Sequence, residues 1–271
     1  MIRGTIEAYA WSGGRQAVAI PTVMSHSLSL NELWNSARPS ERFFQPPQVA
    51  ALPEAPRRYL EHAIAAGTPL ATAVRLRMHG QIRLRSWHPF SAEEVICWQR
   101  GFIWQARISF HGITISGGDS LVDGYGAMRW KLLGLVPLMN ACGRDIDRSA
   151  AGRVNVESIW LPSALCQAGV TWSAAGHRHF EARFSAHGEI AQIDYRTGPD
   201  GGLLSVNMPR WGNPDGGKFK YINCGGVVDS EQNFGGYTIP TRMRVGWYFG
   251  DSRFEREGEF FRVTIDDAVF R

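Results

Sequence analysis

The sequence predicts a mainly β fold with minor α: a strongly curved antiparallel sheet or half-barrel of about ten or eleven strands, with an N-terminal helix and a helical insert near residues 145–160. Three observations carry this expectation. The first is strict alternation from Gly101 to Phe110. Phe102, Trp104, Ala106, Ile108 and Phe110 fall on one face, with Ile103, Gln105, Arg107 and Ser109 on the other. A period of two marks a strand with one buried face. The second is the recurrence of short apolar segments between Gly, Pro and Asp turns. The third is one stretch, 145–160, that breaks the β rhythm.

In chain order, residues 1–50 read as an irregular N-terminal arm and 51–271 as one curved β-sheet domain carrying the insert. Within the arm, Ile2 to Ala10 has the makings of a short strand. Leu28 to Ala37 predicts a short helix, with Ser29 as N-cap and Glu32 at capping-box spacing. Prolines 39, 46, 47 and 53 then break the chain. From Pro53 to Ala66 an apolar stripe of Ala55, Tyr59, Leu60, Ala63 and Ile64 predicts a second helix, stopped by Gly67 and Pro69.

From Ala73, Val74, Leu76, Met78, Ile82 and Leu84 alternate with polar residues rich in arginine, which predicts a strand with a basic outer face. Trp87, Pro89 and Phe90 read as a turn, and Glu93 to Arg100 as the next strand. Gly101 to Gly134 reads as the central meander of the sheet. The insert, Asp145 to Trp160, is expected to be helical, with Asp145 or Asp147 as N-cap and Pro162 ending it. Seven further segments read as strands: 170–173, 180–185, 189–195, 203–208, 221–228, 237–247 and 260–270. In the last, Phe261, Val263 and Ile265 alternate with Arg262, Thr264 and Asp266.

Composition narrows the function classes. At 44% hydrophobic and 20% charged, the 271 residues suit a globular chain rather than a disordered one. The net charge of +4 comes from 26 Arg and only 3 Lys spread along the sequence, without the basic tail of a nucleic-acid arm. Four cysteines lie far apart with no C-x-x-C pair, which argues against a zinc site. No apolar run reaches transmembrane length and no signal-like start is visible, so the expectation is a cytoplasmic protein with reduced thiols. The phosphate-loop, dinucleotide, nucleophile-elbow and H-E-x-x-H motifs are missing, and no cofactor is expected. His177 and His179 share a strand face in the manner of a metal pair, but no third ligand completes the set, so no metal is expected either.

Several phrases are familiar in this order: LPEAPRRYLEHAI, WHPFSAEEV, GFIWQARI, DSLVDGYGAM, ESIWLPSAL and VTW. Over residues 52–271 the sequence resembles the bacterial family known as domain of unknown function 6544. That resemblance maps its characteristic positions onto Phe102, Trp104, Asp119, Gly124, Gly126, Glu157, Trp160, Pro162 and Trp172, and it implies no reaction. In element order the chain is also similar to the half-barrel of outer-membrane lipoprotein carriers. This likeness implies a curved sheet cupping an apolar cavity, with helices as its lid.

The leading functional expectation is non-catalytic binding of a hydrophobic small molecule or lipid-like ligand in the concave face. Phe102, Trp104, Trp160 and Trp172 would line the site, and Asp119 or Glu157 would fix a polar end. Two alternatives stand beside it. In one, Asp119 or Glu157 acts as a general acid or base, which requires a carboxylate not locked by arginine or backbone. In the other, the basic strand face at 75–85 is an interaction module.

Overall fold

The computed structural model describes residues 28–271; the strand expected at Ile2–Ala10 lies outside them. The described chain forms a thirteen-stranded antiparallel sheet built from two meanders. The first comprises β1 (Ala73–Arg83), β2 (Trp87–Cys97), β3 (Gly101–Phe110), β4 (Ile113–Val122), β5 (Tyr125–Leu132) and β6 (Val136–Cys142), and runs from the sheet centre to one edge. The second comprises β7 (Thr171–Ala174), β8 (His179–Ala186), β9 (Glu189–Thr197), β10 (Leu203–Gly212), β11 (Lys220–Phe234), β12 (Tyr237–Trp247) and β13 (Glu259–Phe270). It runs from the other edge inward, and β13 pairs with β1 to join the halves. The stretch Gly101–Gly134 is thus a meander as expected, but it flanks the centre. The centre itself is the β1–β13 seam.

Two strand boundaries differ from the sequence reading. Trp87, Pro89 and Phe90 belong to β2, and the turn lies at 84–86, where Leu84 N–H donates to the Ser86 carbonyl. Pro89 is tolerated because β2 gains its β3 partner only from Phe90 onward, so the missing N–H breaks no ladder on that side. Val136–Cys142, which the sequence reading did not assign to a strand, is an edge strand, the position where its Pro137 costs least.

Helix α1 (Leu30–Ser36) has the capping box expected of Ser29 and Glu32. Its Leu30 and Leu33 pack against Ala73, Val95 and Ile103 in a small core on the outer face of the sheet. Helix α2 (Glu54–Ala63) buries the apolar stripe, with Tyr59 against the rings of Phe180 and Tyr195.

Helix α3 (Arg144–Val156) shapes the sheet. Its N-cap is Gly143, because both acidic candidates are engaged elsewhere. Asp147 accepts a 2.6 Å bond from Gly126 N–H, and Asp145 accepts one from Trp211 Nε1 at 2.9 Å. Short 3₁₀ turns follow at Glu157–Trp160 and Pro162–Cys166, so Pro162 opens a turn. Helix α3 touches β3–β6 on one side and β9 and β10 on the other. In a flat sheet β5 and β10 would lie about 40 Å apart, so one helix about 10 Å wide reaches both only because the sheet curls around it. Gly126 permits this approach: a Cβ there would sit 2.9 Å from the Asp147 Cα and the Ile146 carbonyl oxygen.

Candidate functional site

Alternation on β3 points Phe102, Trp104, Ala106 and Ile108 inward, all buried, while Gln105 and Arg107 face out. Opposite them runs α3. Between helix and sheet lies a cavity of about 220 Å³. Its wall is mostly apolar, with Trp104, Met128, Trp130, Trp160, Met243 and Phe261 among its members. Phe102, Trp104, Asp119, Glu157 and Trp160 all line it. Trp172 does not: it sits on the short edge strand β7, against Phe180 and away from the cavity.

The polar part of the wall is organised by a residue the sequence reading did not name. Arg153 projects from α3 over the rings of Phe102 and Trp104, at 4.5 and 5.1 Å from their centres. Its guanidinium reaches three carboxylates. Nε donates to Glu157 Oε1 at 2.6 Å, Nη1 to Asp119 Oδ2 at 3.1 Å and Nη2 to Glu94 Oε1 at 2.9 Å. Asp119 also accepts a bond from Trp130 Nε1 at 3.3 Å. Asp119 and Glu157 therefore do converge, through an arginine they share.

Three carboxylates around one largely buried guanidinium cannot all stay ionised cheaply. Burial pushes Glu94 well above the usual carboxylate range, and the Glu157 charge pushes it further against the pull of Arg153. Burial also raises Glu157 and Asp119, opposed in both by Arg153. Arg153 itself is disfavoured by burial, but the carboxylates outweigh this and hold its pKa above the ordinary arginine value. Neither Glu94 Oε2 nor Glu157 Oε2 accepts a bond from any N–H or O–H in the described chain. Hydrogen bonding between the two carboxyl groups is a further cause that raises Glu94.

Arg210, on β10, is the second cation of the wall. Its guanidinium donates to the Ser149 carbonyl at 3.0 Å and makes no ion pair with a carboxylate among the described residues. Two signals for the cluster lay in the sequence. Arg153 and Glu157 have the i, i+4 spacing of a helical ion pair, and Glu94 shares inward parity with Ala92 and Ile96 on β2.

The other candidates disperse. On the basic face at 75–85 three residues meet acids: Arg75 pairs with Glu93, Arg77 with Asp267 and His79 with Asp266, while Arg83 donates to the Glu259 and Arg256 carbonyls. His177 and His179 turn to different carboxylates, Glu54 and Asp194. All four cysteines are free. No described helix is long and apolar enough to cross a membrane.

A family model described as a family of unknown function, DUF6920, matches residues 50–270, which corrects the resemblance to domain of unknown function 6544. Among curated proteins no match was found. Two solved structures are similar. A LolA superfamily protein from Nitrosomonas europaea aligns with a TM-score of 0.40 at 8% identity, covering 80% of this chain and 94% of that one. A domain from Vibrio parahaemolyticus described as an outer membrane lipoprotein-sorting protein aligns with a TM-score of 0.35 at 8% identity, covering 73% of this chain and 85% of that one. The expectation of a cytoplasmic location is corrected by these neighbours, one of which is described by a role at the outer membrane.

Proposed function

We propose, for a chain that belongs to the DUF6920 family of unknown function, that it binds a small apolar molecule or one end of an acyl chain in the cavity under α3. The observation that carries this reading is the cavity itself: about 220 Å³ walled by aromatic and methionine side chains. An apolar hole of about 150 Å³ already takes benzene, while drug-sized pockets begin near about 300 Å³. A ligand of one ring, or a short run of methylenes, fits between those limits. Trp104 adds to the case, because its buried Nε1 has no acceptor in the described chain. An ester or carboxyl oxygen at the end of a ligand would supply one.

The carboxylates suit this role better than acid–base work. A general base needs a free carboxylate within reach of substrate, and Asp119, Glu157 and Glu94 each bond Arg153. They fix the arginine in the wall, and Arg153 in turn covers the aromatic floor.

The test is a titration of intrinsic tryptophan fluorescence with fatty acids of increasing chain length and with small aromatic ligands. Saturable quenching or a blue shift in the wild type, reduced in Trp104→Phe, supports the reading. A folded protein that responds to no member of the panel refutes it.

A further inference from the structure

We infer that the tips of the β3–β4 and β5–β6 hairpins form a docking surface for an anionic lipid membrane. The two tips are neighbours: Leu133 N–H donates to the Thr114 carbonyl at 2.9 Å, and Ile115 pairs with Leu132. Together they expose four large apolar side chains. Ile113 is 38% exposed, Leu133 62%, Leu135 80% and Val136 55%. A cluster of this kind on a chain's surface marks an interaction site.

The turn at Leu133 sharpens the point. The Leu135 N–H bonds the Leu132 carbonyl, and Leu133 and Gly134 both have positive φ, 52° and 72°. This is a type I′ geometry, which favours Asn, Asp or Gly at its first central position. At three comparable pairs, where His111, Asp123 and His187 each precede a glycine, all with positive φ, the first residue is Asp or His, side chains enriched in this region. Only here among them does a leucine hold the strained place, and its side chain buries little in return. Folding alone would choose asparagine.

The charge beside the tips selects the partner. Residues 105–118 and 124–140 contain no Asp or Glu. Their cations, Arg107, Arg129 and Lys131, are exposed and form no ion pair among the described residues. Arg107 and Lys131 lie in one outward row, through the registers Arg107–Ser116 and Ser116–Lys131. Apolar tips flanked by unneutralised cations match the acyl boundary and the negative headgroups of a bilayer. The other two lysines, Lys218 in the loop after β10 and Lys220 at the start of β11, are exposed at the same end of the sheet, where Asn213, Pro214 and Phe219 of that loop line the cavity. Docking would therefore bring the loop end of the cavity to the membrane. The tips themselves lie outside the cavity wall, so docking stands apart from ligand binding.

The experiment is co-sedimentation of the full chain with phosphatidylcholine vesicles, with and without phosphatidylglycerol. The wild type is expected to partition onto the mixed vesicles and to release as salt rises. Leu133→Asn with Leu135→Ser should lower that partition at least tenfold, although the asparagine suits the turn and circular dichroism should be unchanged. Arg129→Glu with Lys131→Glu should abolish the preference for anionic vesicles. Tryptophan titration of the same variants keeps the cavity reading separate, because it should match the wild type. Absence of wild-type binding to mixed vesicles overturns the inference, and so does binding that neither double variant weakens. Self-association of the wild type in sedimentation velocity that Leu135→Ser dissolves, without vesicle binding, assigns the tips to a second copy instead and equally overturns it.

Discussion

Arg153 and Glu94 meet at 2.9 Å across the space between α3 and the sheet, with the Glu94 side chain wholly buried. The pair ties the helix to β2, two strands closer to the seam than β4, which carries Asp119. Because Glu157 and Asp119 share the same guanidinium, four residues behave as one electrostatic unit whose parts should not contribute additively.

Removing the arginine should therefore be worse than removing the whole set. Arg153→Met leaves buried carboxylates without their counter-charge and should lower stability by about 3–5 kcal/mol in denaturant unfolding. Adding Asp119→Asn and Glu157→Gln to that variant should recover most of the loss. If the triple variant is less stable than Arg153→Met, the unit is not held together by charge.

Glu94 sets a pH dependence. Its pKa is raised on folding, so the folded state binds the extra proton between the unfolded and folded values. The associated stability is complete below the ordinary glutamate range and is lost as pH rises through the folded pKa. Glu94→Gln stays neutral throughout. Urea unfolding from pH 5 to 9 should show the variant gaining on the wild type as pH rises; a difference that stays flat would mean Glu94 is ionised in the fold.

Gly126 should resist substitution where an ordinary loop glycine does not. Gly126→Ala drives a Cβ to within 2.9 Å of α3 backbone atoms and should cost about 1–3 kcal/mol. Gly217→Ala meets nothing within 4 Å and should stay within about 0.5 kcal/mol of the wild type. Equal thermal midpoints for the two would show that α3 does not press on β5.

Filling the cavity should separate binding from stability. Met139, half-buried on the edge strand β6, lines the void. Met139→Trp should reduce affinity for any responding fatty acid at least tenfold while stability changes by less than about 1.5 kcal/mol. Isothermal titration beside thermal unfolding distinguishes this from a general loss of structure.

Where the sequence was legible, one rule governed the backbone. Phe261, Val263 and Ile265 on β13 alternate with polar neighbours, and the strand lies where that pattern puts it. Ser29 and Glu32 announced α1 through a capping box that needs no tertiary partner. Illegible features depended on distant residues. Strand β6 was missed: it carries Pro137, and only sheet position tells a tolerated edge proline from a strand breaker. Asp145 and Asp147 looked like N-caps, but Trp211 and Gly126, far along the chain, claim them. Glu157 was visible as a carboxylate in apolar company, and its arginine was one helical turn away. Glu94 joined Asp119 through the cross-strand row Glu94–Trp104–Asp119, which depends on how β2, β3 and β4 pair and not on any local pattern.

The β1–β13 seam has a consequence for how the chain reaches this state. It joins Arg77 to Asp267, residues 190 positions apart. During synthesis the first meander can pair early, since each of its strands meets the next within one hairpin. Strand β1 must then wait, with one edge bare, until Glu259–Phe270 has been made. Long-range pairings of this kind are slow to form and expose open edges meanwhile. On β1 that waiting edge carries Arg75, Arg77 and Arg83. Charges of this kind discourage edge-to-edge pairing, and Asp267 takes up Arg77 only once β13 has been made.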